Sequence, residues 1–398
     1  MKQYIAPTFD VNLDPAELVI DLTSLYAAFT RLTDQRDARG VRYALPTLLT
    51  FVTLAKLAGE NTLAGIAEWV QYWIDALSSA LALKKKRAPV DTTYSRALAN
   101  AVDAQELERV VHDFFARQPK AGQRVQLIVD GKELRGTIEA GHKHGIRLLA
   151  AFLPAEGWVL WQVQVARREN EISAAVQLLK TLDLRDKIVS GDAMFAQGKL
   201  SHTIVAAGGE YLWTVKTNQP ELSGDIQTLF EPDRVTKGFS APKKDLRTAT
   251  TCEKNHGRLE TRTLTASREL KAYLGWPYAE QVFRLERHFT RLKDGKRMHE
   301  IAYGITSLTS REASAQRLLD LVRAHWQIET GLHYRRDQTL REDWCQVRRG
   351  TAPHVLATLN NLVIGLVLRR GEHNLARMRR RFNAFPQEAL QLVLAAPA

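Results

Sequence analysis

The sequence has few cysteines and lacks a long uninterrupted apolar run. Only Cys252 and Cys345 occur in 398 residues, which excludes a disulfide framework or a cysteine metal cluster and indicates a reduced, cytoplasmic protein. The two longest apolar stretches, ALPTLLTFVTLAKLAG and VLATLNNLVIGLVL, are too short or too interrupted by polar residues to cross a bilayer. The amino terminus lacks the basic, apolar and small-residue regions of a signal peptide. We therefore expect no membrane partner.

Acidic residues are also fewer than basic ones. The chain has 56 Lys and Arg against 44 Asp and Glu, a formal net charge of +12. Excess positive charge attracts polyanions, among which nucleic acid is the commonest partner. An anionic membrane is the alternative, but it requires a basic amphipathic segment or a span. The charge therefore favours nucleic acid.

The apolar pattern divides the chain into segments of different periodicity. Apolar residues recur at helical spacing up to about residue 117. Three strand-like runs, RVQLIVDG, RLLAAFLPAEG and WVLWQVQVA, are then followed by alternating helices and strands, which predicts a mixed α/β sheet. Alternating runs around a KDGK turn predict an antiparallel β insertion. The predicted regions are a helical region 1–117, an α/β domain in two parts 118–220 and 318–372, an inserted β region 221–317, and a basic tail 373–398.

Two of the predicted strands end on an aspartate. Asp130 follows the apolar run in LIVDGKELRG, and Asp192 follows the run in KIVSGD. Ligands of open α/β sheets bind beyond the strand ends, so these two carboxylates could meet in space. Carboxylate oxygens suit hard cations such as Mg²⁺. An aspartate after a strand is also a common turn or cap residue, and that alternative stays open for each one taken singly.

A third acidic residue, Glu329, lies in the segment RAHWQIETGLHYRRDQTLRED, which is crowded with basic and aromatic residues. His325 and His333 lie four residues before and after it, on roughly one helical face. A zinc site is disfavoured, because the H-E-x-x-H arrangement is missing and more than two helical turns separate the two histidines. A solvated charged face is the remaining alternative to a functional role.

Four segments, in order, resemble the DDE transposases of bacterial insertion sequences, in the subgroup that includes the H-repeat-associated proteins. The run FTRLTDQRDARGVRYALPTLLTFVTLAKLAG resembles the amino-terminal associated domain, and IVDGKELRG resembles the first-aspartate motif. GDAMFAQ, followed by YLWTVKTNQPEL, resembles the second-aspartate region. The stretch from VRAHWQIETGLHYRRDQTLRED to LNNLVIGL resembles the glutamate region and its carboxy-terminal helix. The resemblance covers nearly the whole chain, from about residue 20 to 372.

This resemblance implies a fold, a reaction and partners. The implied fold is an RNase H-like mixed α/β sheet with flanking helices, an all-helical amino-terminal region and an inserted antiparallel β region. Asp130, Asp192 and Glu329 are the implied catalytic residues and ligands of Mg²⁺, for which Mn²⁺ can substitute. The implied reaction is cleavage of DNA at the ends of an insertion sequence and transfer of the freed strand into target DNA. The implied partners are the terminal inverted repeats, the target DNA and a second copy of the chain.

Basic residues near these motifs are expected to contact DNA phosphates, namely Lys132, Arg135, Lys216, His325 and Arg336. For Lys132 and Arg135, a solvated turn is the alternative. The broader group often carries Tyr, Arg, Glu and Lys at a fixed spacing, whereas this chain has Val322, His325, Glu329 and Arg336 there, so the tyrosine is absent. Two alternative functions stay open: a catalytically silent DNA-binding protein of transposase descent, and a stand-alone RNase H-like nuclease.

Overall fold

The structure, a computed structural model, describes residues 23–39, 41–84, 86–116, 125–166, 168–231, 244–255 and 257–395. The chain divides into two compact units. The first contains residues up to 117 together with 347–359 and 376–398, and the second contains 118–346 and 360–375.

The described residues of the first unit form helices joined by turns, with no strand among them. Its amino-terminal helices are α1 (Leu25–Phe29), α2 (Leu45–Leu57), α3 (Leu63–Ala80), α4 (Asp91–Asn100) and α5 (Ala104–Ala116). Proline stands in the first turn of α2, where a missing N–H is tolerated, and Thr62 caps α3 by accepting a hydrogen bond from the Gly65 N–H at 3.0 Å. Twelve of the 13 residues of α2 are buried, so this helix forms the centre of the unit. The predicted helical amino-terminal region is confirmed.

The predicted basic tail, residues 373–398, contains two helices. Residues in this segment form α11 (Leu375–Ala384) and α12 (Pro386–Leu394), which belong mainly to the first unit. Arg379 is 6% exposed and donates a hydrogen bond of 2.8 Å to the Lys56 carbonyl. The alternation of apolar residues with arginine in α11 is therefore the pattern of a helix with one buried face.

The second unit contains one nine-stranded mixed sheet. Its strands are β1 (Val125–Leu134), β2 (Ile146–Leu153), β3 (Trp158–Val165), β4 (Lys187–Gly191), β5 (Glu210–Val215), β6 (Arg247–Asn255), β7 (Arg258–Ser267), β8 (Gln281–Arg291) and β9 (Arg297–Thr306). They lie in the order β3-β2-β1-β4-β5-β9-β8-β7-β6. Strands β1, β4 and β5 are parallel, and every other neighbouring pair is antiparallel. The expected mixed sheet is confirmed, and the inserted strands extend it through the β5–β9 pair.

Helices cover the sheet on two faces. Helices α6 (Glu171–Lys180), α7 (Gly198–Ala206) and α8 (Pro220–Phe230) pack against one core, which includes Leu127 and Val129 of β1. Helix α9 (Ala315–His325) packs against another core, which includes Ile188 of β4 and Leu285 of β8. Because side chains alternate along a strand, even-numbered residues of β1 point toward α9. Gln126 confirms this, since its amide donates to the Leu321 carbonyl at 2.9 Å.

The segment after α9 is not a continuous α-helix. Two π-helical stretches, Glu329–His333 and Arg335–Thr339, follow it, and α10 (Ala352–Arg369) comes later. Insertions of this kind often occur at functional sites. Among the described helices, α10 alone has the length and mean hydropathy of a membrane span, and 89% of it is buried inside the protein. A buried core helix passes the same test.

Candidate active site

Asp130 and Asp192 lie beside each other at the end of the β1–β4 pair. The parallel register pairs Val129 with Gly191, so the next residue of each strand is an aspartate. The sequence reading ended the first strand at Asp130, which is wrong: β1 continues to Leu134 in antiparallel pairing with β2. The parallel pairing of β1 with β4 ends at Val129, directly before Asp130. The Asp130 side chain therefore lies at the end of this strand pair, on the α9 side of the sheet.

The π-helical stretch Glu329–His333 brings a carboxylate and an imidazole to Asp130. The donor atoms of Asp130, Glu329 and His333 all lie within 4.8 Å of one another. His333 Nε2 lies 3.5 Å from Asp130 Oδ2, and its side chain is 12% exposed. Burial lowers the pKa of His333 to about 3, so the imidazole is neutral and has a lone pair for a ligand.

Asp192 faces the other histidine of the same segment. Its Oδ1 lies 3.9 Å from His325 Nε2, and His325 Nδ1 lies 3.4 Å from the Ser190 hydroxyl. The contact with His325 holds the pKa of Asp192 below its usual value, with a smaller contribution from Lys216. Each histidine therefore contacts a different aspartate, which agrees with their separation being too large for one ion.

The charges at this edge are suited to a divalent cation. Burial is the largest cause that raises the pKa of Asp130 to about 7, and the charge of Asp192 is the next, with weaker effects from Glu329 and Glu171. Glu171 stands in the first turn of α6, and a methyl group on Gly131 would lie 2.6 Å from its Oε2. Several carboxylates around one buried carboxyl repel one another, and a cation removes that repulsion. The donor set of Asp130, Glu329 and His333, with Asp192 beside it, fits such an ion.

Sequence reasoning did not assign a role to His333 or Glu171. His333 entered only through the zinc alternative, as a partner of His325. The available signal was its position four residues after Glu329, on the same face of a helix. Glu171 gave a weaker signal, a carboxylate in the first turn of a helix that follows a strand.

Two of the residues predicted to contact phosphates are held in ion pairs inside the protein chain itself. Lys132 is 9% exposed and its Nζ lies 2.5 Å from Asp337 Oδ1 and 3.3 Å from Asp343 Oδ1. Arg336 is fully buried, and its Nε donates to Glu342 Oε2 at 2.7 Å. A phosphate could reach either cation only if these ion pairs broke.

The other three predicted contacts differ in access. His325 is 8% exposed and is engaged with Asp192 and Ser190. Arg135 is 75% exposed, with its Nε 3.8 Å from Asp343 Oδ2, and Lys216 is exposed close to Asp192. Arg135 and Lys216 are therefore the two predicted cations that a DNA backbone can reach directly.

A cleft of about 640 Å³ opens beside Glu329. One wall comes from β6, β7 and β8, and the other from α9 and the residues after it. Four arginines line it together with Trp326, over whose ring the Arg287 guanidinium lies at 4.2 Å from the centroid. All four arginines are also in ion pairs with glutamates, and Glu253 of β6 pairs with Arg323 of α9 across the cleft. The lining residues are Glu253, Arg258, Arg262, Arg287, Asp320, Arg323, Ala324, Trp326, Gln327, Glu329 and Thr330.

Two family models match the chain. The model of the transposase DDE domain matches residues 121–366, and the DDE_Tnp_1-associated model matches residues 26–115. The first match contains Asp130, Asp192, Glu329 and the inserted strands, and the second covers the amino-terminal helices of the first unit.

Individual proteins are similar along most of their length. YncI of Escherichia coli O157:H7, named as a candidate transposase, is 26% identical over 359 residues, which are 87% of this chain and 88% of YncI. YhhI of Escherichia coli K12, named as an H repeat-associated candidate transposase, is 24% identical over 353 residues, 87% of this chain and 91% of YhhI. Among solved structures, a piggyBac transposase synaptic complex with hairpin DNA matches with a TM-score of 0.43 and 12% identity, over 96% of this chain and 79% of that one.

Proposed function

Because the chain belongs to the transposase DDE domain family, we propose that it cuts DNA at the ends of an insertion sequence and joins the freed strand to target DNA. In the first step a phosphodiester bond is hydrolysed and leaves a 3′ hydroxyl. In the second step that hydroxyl displaces a strand of the target, so one P–O bond forms as another breaks. The observation that carries the proposal is the convergence of Asp130, Glu329 and His333 within 4.8 Å, with Asp192 beside them.

We assign metal binding to Asp130, Asp192 and Glu329, and add His333 as a further ligand. Mg²⁺, or Mn²⁺ in its place, would polarise the scissile phosphate and activate the attacking oxygen. The neutral imidazole of His333 offers a nitrogen toward Asp130, whereas the ring of His325 orients the Asp192 carboxylate through its 3.9 Å contact. Ser190, in turn, lies 3.4 Å from the far nitrogen of His325 and supports its ring.

The DNA backbone would be held by exposed cations around this edge. Lys216 lies close enough to Asp192 to lower its pKa, and Arg135 extends into solvent at the end of β1. The arginine-lined cleft beside Glu329 offers further donors for phosphate oxygens. A homodimer that brings two element ends together, in the bacterial cytoplasm, is part of the same proposal.

The test uses the purified full-length protein, a labelled duplex from the ends of the element and a plasmid target, with Mg²⁺ or EDTA. We expect metal-dependent nicking at the element end and a joined product. Asp192→Ala should abolish both, and Asp183→Ala serves as the matched control, because that carboxylate is 62% exposed and pairs only locally with Arg185. Nicking without joining would favour a stand-alone nuclease. DNA binding with no nicking in Mg²⁺ would favour a catalytically silent DNA-binding protein.

A further inference from the structure

We propose that Glu286, His288 and His299 form a second metal site, which takes Zn²⁺ or a similar divalent transition metal. The site lies on the inserted strands β8 and β9. It does not depend on the proposed DNA chemistry, because none of its residues belongs to the group around Asp130.

The strand register places the three side chains together. His288 of β8 stands directly opposite His299 of β9 in the antiparallel ladder. Glu286 is two residues before His288, so its side chain points to the same face. The intervening Arg287 points to the other face, where its guanidinium lies over Trp326. The three potential ligands therefore share the face of the sheet opposite to α9.

The donor atoms are close enough for one metal ion once the two imidazole rings turn toward it. The donor atoms of the three residues all lie within 4.8 Å of one another, and ligands of tetrahedral zinc, at bonds of about 2.0–2.1 Å, are about 3.4 Å apart. The two rings stack with their centroids 4.3 Å apart and their planes within 4°, so their in-plane lone pairs run parallel and do not converge on one point. His288 is 56% exposed and His299 is also exposed, so both rings can rotate to face a shared ion.

The carboxylate of Glu286 is already oriented toward the histidines. Its Oε1 is held by the Arg284 guanidinium at 2.7 Å, and its Oε2 lies 3.9 Å from His288 Nε2. Arg284 is itself fixed by donating to the Phe230 carbonyl at 3.0 Å. A hydrogen-bonded partner that orients a ligating carboxylate is a usual part of metal sites.

The donor chemistry selects the class of metal. Two imidazoles and one carboxylate suit Zn²⁺, Cu²⁺ or Ni²⁺, whereas Mg²⁺ prefers oxygen ligands. Cys252 is not a fourth ligand, because the register Cys252–Thr261–His288 separates it by two strand spacings, or about 10 Å. A three-ligand site leaves one position for water.

The experiment measures Zn²⁺ bound by the metal-free, full-length protein in competition with a chromophoric chelator. The parent chain carries Glu329→Gln, so that the group around Asp130 contributes less metal binding. We expect one equivalent of Zn²⁺ at micromolar concentration, lost in His288→Gln and in His299→Gln. Glu286→Gln should weaken binding by at least about tenfold. The matched controls, Cys252→Ser and His142→Ala, should keep the full equivalent.

A second readout follows the ion itself. Co²⁺ added to the parent should give the visible absorption of a tetrahedral nitrogen and oxygen site, and His299→Gln should lose it. Circular dichroism checks that each variant is folded, because substitutions of exposed side chains seldom disturb a fold. Equal Zn²⁺ binding by the parent and both histidine variants, or binding by the parent only at millimolar concentration, would overturn the proposal. A failure of DNA cleavage would leave it standing.

Discussion

Substitution of Arg336 distinguishes two roles for this residue, a contact with a DNA phosphate and a buried ion pair. If Arg336 contacts a DNA phosphate, its removal should leave stability unchanged and reduce the salt dependence of DNA binding by about one ion. The structure predicts the reverse, because the guanidinium is fully buried and bonds to Glu342, whose side chain is 5% exposed. Glu342 also accepts a hydrogen bond from the Asn360 amide at 2.8 Å.

The expected loss of stability comes from the Glu342 carboxylate, which the removal of Arg336 leaves buried without its partner. Removing one member of a buried ion pair costs about 3–5 kcal/mol. For a unit of this size, that loss corresponds to a fall in Tm of about 6–20 °C. Replacing both residues with apolar side chains, as in Arg336→Met with Glu342→Leu, should recover most of the loss, because the uncompensated charge is then gone.

The assay is urea unfolding followed by tryptophan fluorescence, combined with DNA binding at several salt concentrations. Arg135→Ala is the control, because this side chain is 75% exposed. It should change the free energy of unfolding by less than about 0.5 kcal/mol and lower the salt slope by about one. If Arg336→Met behaves like Arg135→Ala in both measurements, the interior position of Arg336 is refuted.

Three further predictions concern the metal ligands and the sheet. In metal-free protein the pKa of Asp130 is raised to about 7, so below that pH a metal ion must displace the proton of this carboxyl group before it binds. The Mn²⁺ affinity, measured by electron paramagnetic resonance, should therefore fall about tenfold per pH unit below 7 and level off above it. His333→Ala should weaken Mn²⁺ binding in the same assay, because it removes one of the proposed ligands; an unchanged affinity would count against ligation. Gly304→Ala should lower the free energy of unfolding by more than about 2 kcal/mol, because the new methyl group would lie 2.1 Å from the Phe283 ring. The control Gly224→Ala, in α8, places its methyl group in open space and should raise the free energy of unfolding by about 0.5–1 kcal/mol. Similar shifts for the two variants in urea unfolding would contradict this packing.

Strong periodicity made much of the fold predictable. Strands β1 to β5 were each found from an apolar run. Four of them, β1, β2, β4 and β5, are internal strands of a covered sheet, which are apolar on both faces, whereas β3 is an edge strand that carries an apolar run of its own. β6 was missed, since its alternation is of threonines and not of apolar residues. Thr248 and Thr250 hydrogen-bond across to Thr265 and Thr263 at 3.2 and 3.1 Å, a stabilisation that hydropathy does not register.

The candidate site was predicted in part for a related reason. Strand ends and family motifs indicate Asp130, Asp192 and Glu329, whose roles as ligands remain predictions. The ion pairs of Lys132 and Arg336 depend on partners that are close in space, Asp337 and Glu342, and a local charge pattern looks the same for a free cation as for a paired one. His333 reaches Asp130 through a π-helical stretch, which helical spacing alone does not predict.

The first unit is built from separate stretches of the chain, and this has a consequence for its synthesis and for truncated copies of the gene. Its helices come from residues before 117 and from 347–359 and 376–398. A ribosome that adds about 5–20 residues per second must translate the whole second unit before the first can be completed. A gene interrupted after the motif residue Glu329 would therefore encode all three acidic residues and still lack part of the helical unit. Such a remnant would expose the apolar surface of helices such as α2, and we expect it to be degraded or to aggregate.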